Sequence, residues 1–309
     1  MLNVQRLRVL REVVQRGSFS AAAEALDYTQ PAISQAIATL EAETGTTLVE
    51  RDRRGLRPTA AGAALVEHTE GILARLQAAE DELKAIIGVR GGHLRMATFP
   101  SAGATLMPLA IATFRAAFPD VEMTLAEAEP EDIAPRLRAG EFDLALLFEF
   151  RDSGPSLGSG LEMTDLFEDP MRVALPAGHA LTRKRALRLE DLRDEAWVQT
   201  SAASACARHV VHLCRAAGFE PTVSFESDDY LTVQGLVAAG VGVALIPELA
   251  LSSLRDDIVI RTLSPTGPSR RVVAATAKGA GVAPAARPML DVLVEVASRY
   301  GALEARAAS

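Results

Sequence analysis

The first third of the chain shows the spacing of four amphipathic helices. They are predicted at residues 4–15, 19–26, 30–43 and 59–87. Gly17 ends the first segment, and Ser18 and Thr29 stand just before the second and third, where a hydroxyl can cap a helix. In the third segment the apolar stripe Ile33, Ile37 and Leu40 leaves the opposite face to Pro31, Ser34, Gln35 and Ala38. This helix is therefore expected to expose a face without bulky or acidic side chains.

Two short extended segments follow, at residues 48–50 and 56–58. They flank a turn that contains Gly55, which predicts a hairpin wing. Four arginines fall within this stretch against one opposing aspartate; they are Arg51, Arg53, Arg54 and Arg57. The wing is expected to be locally basic.

The fourth helical segment carries a heptad-like apolar stripe. Its members include Leu65, Ile72, Leu76, Leu83 and Ile86. A stripe of this spacing over about three heptads is typical of a coiled-coil seam, so a dimer is expected. Gly88, Gly91 and Gly92 end the helix and form the best linker candidate in the chain.

Beyond residue 92 the pattern changes to short apolar runs that alternate with helices. Strands are predicted at residues 93–99, 121–128, 142–148, 172–175, 197–200, 222–225, 241–246 and 271–276, and helices begin near Ala102, Glu131, Ala202, Asp229 and Pro284. This alternation indicates an α/β fold whose sheets are largely parallel. Residues 152–160 and 264–269 are the expected crossings between two subdomains.

Composition and charge narrow the function classes. The chain has 309 residues, of which 49% are hydrophobic and 23% charged, so a folded protein of about two domains is expected. The sequence has no apolar run of membrane-spanning length, no secretory h-region and only two cysteines, which together predict a cytoplasmic protein. The net charge of −8 lies mostly after residue 90, so it does not exclude DNA as a partner of the first part.

Three helices followed by a basic wing suit the major groove and its flanking phosphates. Glutamine near the start of the third helix can pair with adenine, and arginines at the wing tip can reach a neighbouring minor groove or its phosphates. The candidate DNA-binding residues are Ser18, Thr29, Gln30, Pro31, Ser34, Gln35, Arg51, Arg53 and Arg54. An ordinary helical domain with a polar face is the competing interpretation.

Several runs also follow an order known from one protein family. They include Gly17-Ser18-Phe19-Ser20, Gln30-Pro31-Ala32-Ile33-Ser34-Gln35, Glu50-Arg51 and Ala61-Gly62 in the first part. Further runs are Phe114-Arg115-Ala116-Ala117-Phe118-Pro119, Gly140-Glu141-Phe142-Asp143 and Gly240-Val241-Gly242-Val243. In these runs the chain resembles LysR-type transcriptional regulators over nearly its whole length. Val49 and Gln35 depart from the family pattern, which often has phenylalanine and arginine there, so the family's base contact is not carried over.

The resemblance and the pattern together predict a fold and its division. The fold class is an all-α winged helix-turn-helix with a long linker helix, then an α/β domain of two periplasmic-binding-protein-like subdomains. The expected domains are the DNA-binding domain at 1–58, the linker helix and hinge at 59–92 and the effector-binding domain at 93–309. Within the last, subdomain I is expected at about 93–162 and 268–309, and subdomain II at about 163–267. The resemblance also implies a homodimer or homotetramer.

A small-molecule effector is expected between the two subdomains, because ligands of open parallel sheets bind beyond the carboxyl ends of the strands. The candidate residues are Thr98, Phe99, Pro100, Ser101, Phe148, Glu149, Thr200, Ser201 and Ser227. Hydroxyls and helix N-termini favour an anionic effector, although Glu149 opposes it and the sequence shows no arginine that must enter the cleft. A neutral or amine-bearing effector stays open.

Other motifs carry weaker signals. Gly154-Pro155-Ser156-Leu157-Gly158 has the spacing of a nucleophile elbow without its strand-to-helix context. Cys206, His209, His212 and Cys214 spread around a helix, and Glu127 and Glu129 fit a solvated rim. No catalytic residue, metal site or cofactor is therefore expected. The leading hypothesis is a DNA-binding regulator controlled by an effector, and the alternatives are a solute-binding protein or an enzyme that uses the interdomain cleft.

Overall fold

The computed structural model of the chain describes residues 2–52, 55–86, 92–150, 157–265, 267–278 and 283–307. Three helices form the N-terminal core; they are α1 (Val4–Arg16), α2 (Phe19–Ala25) and α3 (Gln30–Thr44). Each begins at a side chain that accepts backbone N–H groups, namely Asn3, Ser18 and Thr29. The buried stripe of α3 consists of Ile33, Ile37 and Leu40, as predicted. Local spacing and caps therefore determine these helices.

The predicted wing is an antiparallel hairpin of strands β1 (Val49–Asp52) and β2 (Gly55–Pro58). Glu41 of α3 anchors its start, because one carboxylate oxygen accepts the N–H groups of Leu48 at 2.8 Å and of Val49 at 3.3 Å. The long helix α4 (Ala60–Ile86) then packs against α1. Gly62 permits the close approach of α4 to the residue that precedes β1, since a Cβ there would lie 1.9 Å from the Leu48 carbonyl oxygen.

The C-terminal part is α/β, as predicted. Its helices are α5 (Pro100–Gly103), α6 (Leu106–Ala117), α7 (Pro130–Ala139), α8 (Ala205–Ala216), α9 (Tyr230–Ala238) and α10 (Ala286–Ala307). Its strands are β3 (Gly92–Thr98), β4 (Val121–Glu127), β5 (Leu144–Glu149), β6 (Leu161–Pro176), β7 (Ala196–Gln199), β8 (Thr222–Glu226), β9 (Ala244–Pro247), β10 (Ile258–Arg261) and β11 (Ser269–Ala277).

The sheets are mixed, so the expectation of largely parallel sheets is wrong. The larger sheet has the order β10-β6-β11-β5-β3-β4, and β9 also pairs with β6. Only β3 with β4, β3 with β5, and β7 with β8 are parallel strand pairs among the described residues. The physical reason is that the two central strands, β6 and β11, each run in the opposite direction to every strand beside them. All pairings that these two strands make are therefore antiparallel.

Strand β6 links the two halves of the C-terminal part. Residues 161–170 pair with β11, and residues 171–176 pair with β9 and β10. The sequence predicted a strand only at residues 172–175. The earlier part alternates exposed acidic residues with half-buried ones, which hides it from a search for apolar runs.

The long helix α4 also contacts α7, and this contact joins the N-terminal helices to the C-terminal part. Gly71 lies at the closest approach, where a Cβ would come within 2.5 Å of the Ala139 carbonyl oxygen. Close packing of helix on helix therefore requires a glycine at this position. No helix in the described part of the chain is long and apolar enough to span a bilayer.

Candidate DNA-binding and effector-binding sites

The outer face of α3 is the first candidate surface. Gln30, Pro31, Ser34 and Gln35 are exposed there, on the side opposite the buried stripe. Gln35 also donates weakly to Thr39 Oγ1 at 3.4 Å, which orients its amide along the helix. The arrangement leaves a narrow polar ridge that a groove can accommodate.

The other candidate DNA-binding residues have different surroundings. The hydroxyls of Ser18 and Thr29 accept the N–H groups of Ala21 and Ala32, each at 3.4 Å, so both act as helix caps. The backbone of Arg51 pairs with Leu56 in the wing. Arg53 and Arg54 lie outside the described residues.

The predicted seam on α4 divides into two parts. Ile72 and Leu76 are 39% and 48% exposed, which is unusual for large apolar side chains on one helix. Leu65 instead packs partly against the N-terminal core of its own protomer. Leu83 and Ile86 belong to α4, but their side chains lie outside the described residues.

A buried arginine is the centre of the second candidate site. The guanidinium of Arg270, at the start of β11, donates to Asp169 Oδ2 at 2.8 Å and to Ser101 Oγ at 2.5 Å. It also lies over the rings of Phe99 and Phe148, with 4.8 and 4.5 Å to the centroids. Burial is the largest influence and disfavours its charge, yet Asp169, Cys206 and Tyr230 together outweigh burial and raise the pKa of Arg270 above its ordinary value.

The sequence shows no arginine that must enter the cleft, so Arg270 is a residue that sequence reasoning missed. Arg270 is one of two adjacent arginines at the edge of an apolar strand, and sequence patterns predict that such a position is exposed. Its partner Asp169 is 101 residues away along the chain, so no local signal marks the pair. What the sequence did find is the lining of the site, because Phe99, Ser101 and Phe148 all contact Arg270.

The two halves of the C-terminal part meet at this arginine. Ser101 and the phenylalanines belong to the half with β3 and β5, whereas Cys206, 3.9 Å from the guanidinium, begins α8 in the other half. His209 of α8 stacks on Phe150 at 3.8 Å between ring centroids. His212 is exposed, so the helix directs its histidines to different surroundings.

The remaining predicted effector residues are arranged around this centre. Thr98 is buried beside Phe99, and Pro100 is the first residue of α5. Thr200 Oγ1 lies 2.6 Å from Ser204 Oγ, and the Ser227 N–H donates to the Gln199 carbonyl at 3.0 Å. Glu149 instead accepts the Leu157 N–H at 2.7 Å, which ties it to the loop after β5. Ser156, in the run with the spacing of a nucleophile elbow, lies outside the described residues.

Carboxylates surround the same boundary. Arg208 of α8 forms an ion pair with Glu131 at the start of α7, a contact that joins the two halves. Asp228 accepts the Ser201 N–H at 2.8 Å. Burial and the charges of Glu131 and Asp228 raise the pKa of Glu129 to about 7, although Arg270 opposes the shift. The sequence suggested that Glu129 belongs to a solvated rim. In the structure its side chain is instead partly buried.

Two protein families match the chain over the two parts just described. Residues 4–63 match the bacterial regulatory helix-turn-helix protein family, lysR type. Residues 88–298 match the LysR substrate binding domain. The chain belongs to the LysR family of transcriptional regulators. The LysR-type fold explains why a helix-wing unit, a long helix and a two-part α/β unit occur together.

Two bacterial relatives agree with this assignment. The probable HTH-type transcriptional regulator LrrA of Synechococcus elongatus is 32% identical over 301 residues, which cover 96% of this chain and 98% of that protein. The dual regulator OxyR of Escherichia coli is 26% identical over 84% of each chain. These LysR-type relatives are transcription regulators rather than enzymes.

Solved structures share the fold. CbnR in complex with its target DNA superposes with a TM-score of 0.69 at 23% identity, covering 96% of this chain and 99% of that one. Full-length OxyR of Pseudomonas aeruginosa, as a cysteine variant, gives 0.72 at 24% identity and covers 96% and 95%. As a member of the LysR family, the chain is a DNA-binding transcriptional regulator with an effector-binding domain.

Proposed function

We propose that α3 enters the major groove of the target DNA and that the wing contacts the flanking backbone. Gln30, Ser34 and Gln35 supply the base contacts, because they form the exposed ridge of α3. Arg51, Arg53 and Arg54 supply contacts to phosphates or to a minor groove. Residues 1–58 form the DNA-binding unit in this proposal, residues 59–92 the linker and residues 93–309 the effector-binding unit.

The effector binds where the two halves of the C-terminal part meet. The observation that carries this proposal is Arg270, since one buried guanidinium contacts Ser101, Phe99 and Phe148 of one half and Cys206 of the other. A ligand that changes these contacts changes the relation between the halves. The halves are in turn connected to the DNA-binding helices through the contact of α4 with α7.

Direct chemistry at the cysteines is disfavoured. Burial raises the pKa of the Cys206 thiol to about 11 and that of the Cys214 thiol to about 12. A thiolate is the reactive form of cysteine, so both groups are poor nucleophiles near neutral pH. Reversible ligand binding is the mode of control that this site supports.

The assembly is a homodimer or homotetramer. Ile72 and Leu76 on α4 form one candidate interface. A second candidate lies on the effector-binding part, where large apolar side chains are exposed on both halves; they are Leu109, Leu125, Phe225 and Leu231. Two different self-complementary surfaces can join dimers into a tetramer that reads an extended interrupted dyad.

Mobility shift on the DNA upstream of the protein's own gene tests this function. A protein-free small-molecule extract of the source cells should change the DNA affinity of the parent. The variants Ser101→Ala and Thr200→Val should bind DNA like the parent without extract and should not respond to it. An unchanged response in both variants would place the effector elsewhere.

A further inference from the structure

The groups that could hold an anion at the boundary between the halves are already occupied. The Ser201 N–H, ahead of α8, donates to the Asp228 carboxylate at 2.8 Å, and the next N–H, of Ala202, reaches Glu226 Oε2 at 3.4 Å. Thr200 and Ser204 share a hydrogen bond of 2.6 Å. The two backbone N–H groups therefore serve carboxylates of the chain itself, and the two hydroxyls serve each other.

The buried arginine is also unavailable to an anion. Asp169 neutralises Arg270, and its other oxygen accepts the Leu249 N–H at 3.1 Å. An anionic ligand would have to displace Asp169 and leave a buried carboxylate with no counter-ion. That exchange is strongly unfavourable, because an uncompensated buried charge costs several kcal/mol.

The unsatisfied groups at this boundary are acceptors. Glu131 Oε2 and Gln199 Oε1 are the two buried side-chain acceptors without a hydrogen-bond partner in the part of the chain that is described. Gln199 is 8% exposed and is the last residue of β7, at the edge where the chain turns toward α8. Each of these acceptors needs a donor from outside the chain.

Negative charge accumulates here from both halves. Glu129, Glu131 and Asp132 lie at the start of α7, and Asp228 precedes α9 in the other half. Asp228 is close enough to Glu129 to raise the pKa of that carboxyl. Arg208 reaches this group across the boundary through its ion pair with Glu131, and Arg270 opposes the rise in the pKa of Glu129. In the described part of the chain no three carboxylate, histidine or cysteine groups converge as metal ligands, so an organic cation fits better than a metal ion.

We propose that the effector of this regulator is an organic cation, whose ammonium or guanidinium group lies between Glu129 of one half and Asp228 of the other. This inference rests on the proposed function of the boundary as the effector site. The cation supplies positive charge to Glu129 and Asp228, since Arg208 forms its ion pair with Glu131, and it supplies donors to the unsatisfied oxygens. The Glu131–Arg208 ion pair joins the same two halves.

Calorimetric titration of the full-length protein with matched probes tests this inference. Putrescine, agmatine and guanidinium represent the cations. Succinate, a dianion with the same number of carbons as putrescine, is the anionic probe. Magnesium chloride at equal ionic strength is the probe for metal ions. We expect saturable binding of at least one organic cation and no binding of succinate or Mg²⁺. Glu129→Gln and Asp228→Asn should each weaken the cation about tenfold or more.

Glu162→Gln is the matched control, because this carboxylate is exposed on β6, in the segment paired with β11 rather than at the boundary between the halves. It should bind the cation like the parent. Glu129→Gln is isosteric and neutral, and circular dichroism together with DNA binding will show that it folds. Binding of succinate or Mg²⁺ in place of a cation, equal cation affinity in all variants, or no cation binding overturns the inference.

The same samples separate this inference from the proposed function. Binding of succinate with a change in DNA affinity would keep the effector site and reject only the cationic class. Binding of a cation that depends on Glu129 but leaves DNA affinity unchanged would keep the ligand class and reject the control of DNA binding by this site.

Discussion

Arg270 and Asp169 form an ion pair of 2.8 Å in which each side chain is only 1% exposed. They come from the two strands, β11 and β6, that connect the halves of the effector-binding part. Two buried charges are tolerated only when each neutralises the other. The pair therefore fixes the relative position of the two strands.

Removing one partner of this pair should be costly. Asp169→Leu and Arg270→Met should each lower the free energy of unfolding by about 3–5 kcal/mol, since each leaves a buried charge without its partner. The double variant should cost clearly less than the sum, because no charge then remains buried. Denaturant unfolding of the four proteins gives the coupling energy. Additive losses would show that the pair does not act as a unit.

Glycine at position 71 should be required for the contact between α4 and α7. In Gly71→Ala the new Cβ would meet the Ala139 carbonyl oxygen at 2.5 Å, so the two helices must separate. We expect a loss of about 1–3 kcal/mol in stability. Gly235→Ala in α9 is the matched control, since nothing lies within 4 Å of its Cβ position. The control should be neutral or gain up to about 1 kcal/mol from helix propensity. Thermal unfolding that ranks the two variants equally would contradict this interpretation.

The α4 stripe should hold protomers together. Ile72→Asp combined with Leu76→Asp places charges on two exposed apolar positions, so it should lower the oligomeric state in sedimentation velocity. Glu67→Ala, at an exposed polar position of the same helix, should leave the oligomer intact. A double variant that sediments like the parent would move the principal interface to another surface.

Glu129 should make stability depend on pH near neutrality. Burial, with the charges of Glu131, Asp228 and Asp132, raises its pKa from 4.5 to about 7 in the folded protein, and Arg270 opposes the shift. Between these two values the folded state holds a proton that the unfolded state has lost, so stability falls as the pH rises through this window. Glu129→Gln should remove this part of the dependence. Parallel unfolding curves for parent and variant from pH 5 to about 8 would contradict the assignment.

Local sequence signals predicted the N-terminal part well. Ser18 and Thr29 act at distances of one helical turn, and the stripe of Ile33, Ile37 and Leu40 depends only on helical periodicity. Sheet-edge reasoning also placed Phe99, Ser101 and Phe148 among the candidate effector residues, and the structure brings all three into contact with Arg270. Their contact with an effector stays a prediction.

The remainder depends on contacts that are remote in sequence. Ser101 and Arg270 meet across 169 residues, and Glu131 and Arg208 across 77. Periodicity cannot reveal that a charged residue is buried when its counter-ion lies in another element. The occupied N–H groups of residues 201 and 202 show the same limit, since their acceptors belong to the following strand and loop.

We expect the exposed ridge of α3 to read a specific DNA sequence. Gln35→Ala should cost about 1–3 kcal/mol at the cognate site and relax the base preference there, whereas Arg54→Ala should weaken binding to all sequences and flatten the salt dependence. Gln5→Ala, an exposed glutamine on α1, is the control for loss of a glutamine side chain and should bind like the parent.

Mobility-shift titration on the upstream DNA and on scrambled DNA of equal length, at several salt concentrations, measures this specificity. The parent should prefer the upstream DNA by about 10³-fold or more. Gln35→Ala should lose affinity for that DNA while binding the scrambled DNA unchanged. Equal affinity of the parent for both DNAs, or a Gln35→Ala variant that behaves like the parent, would contradict the placement of α3 in the groove.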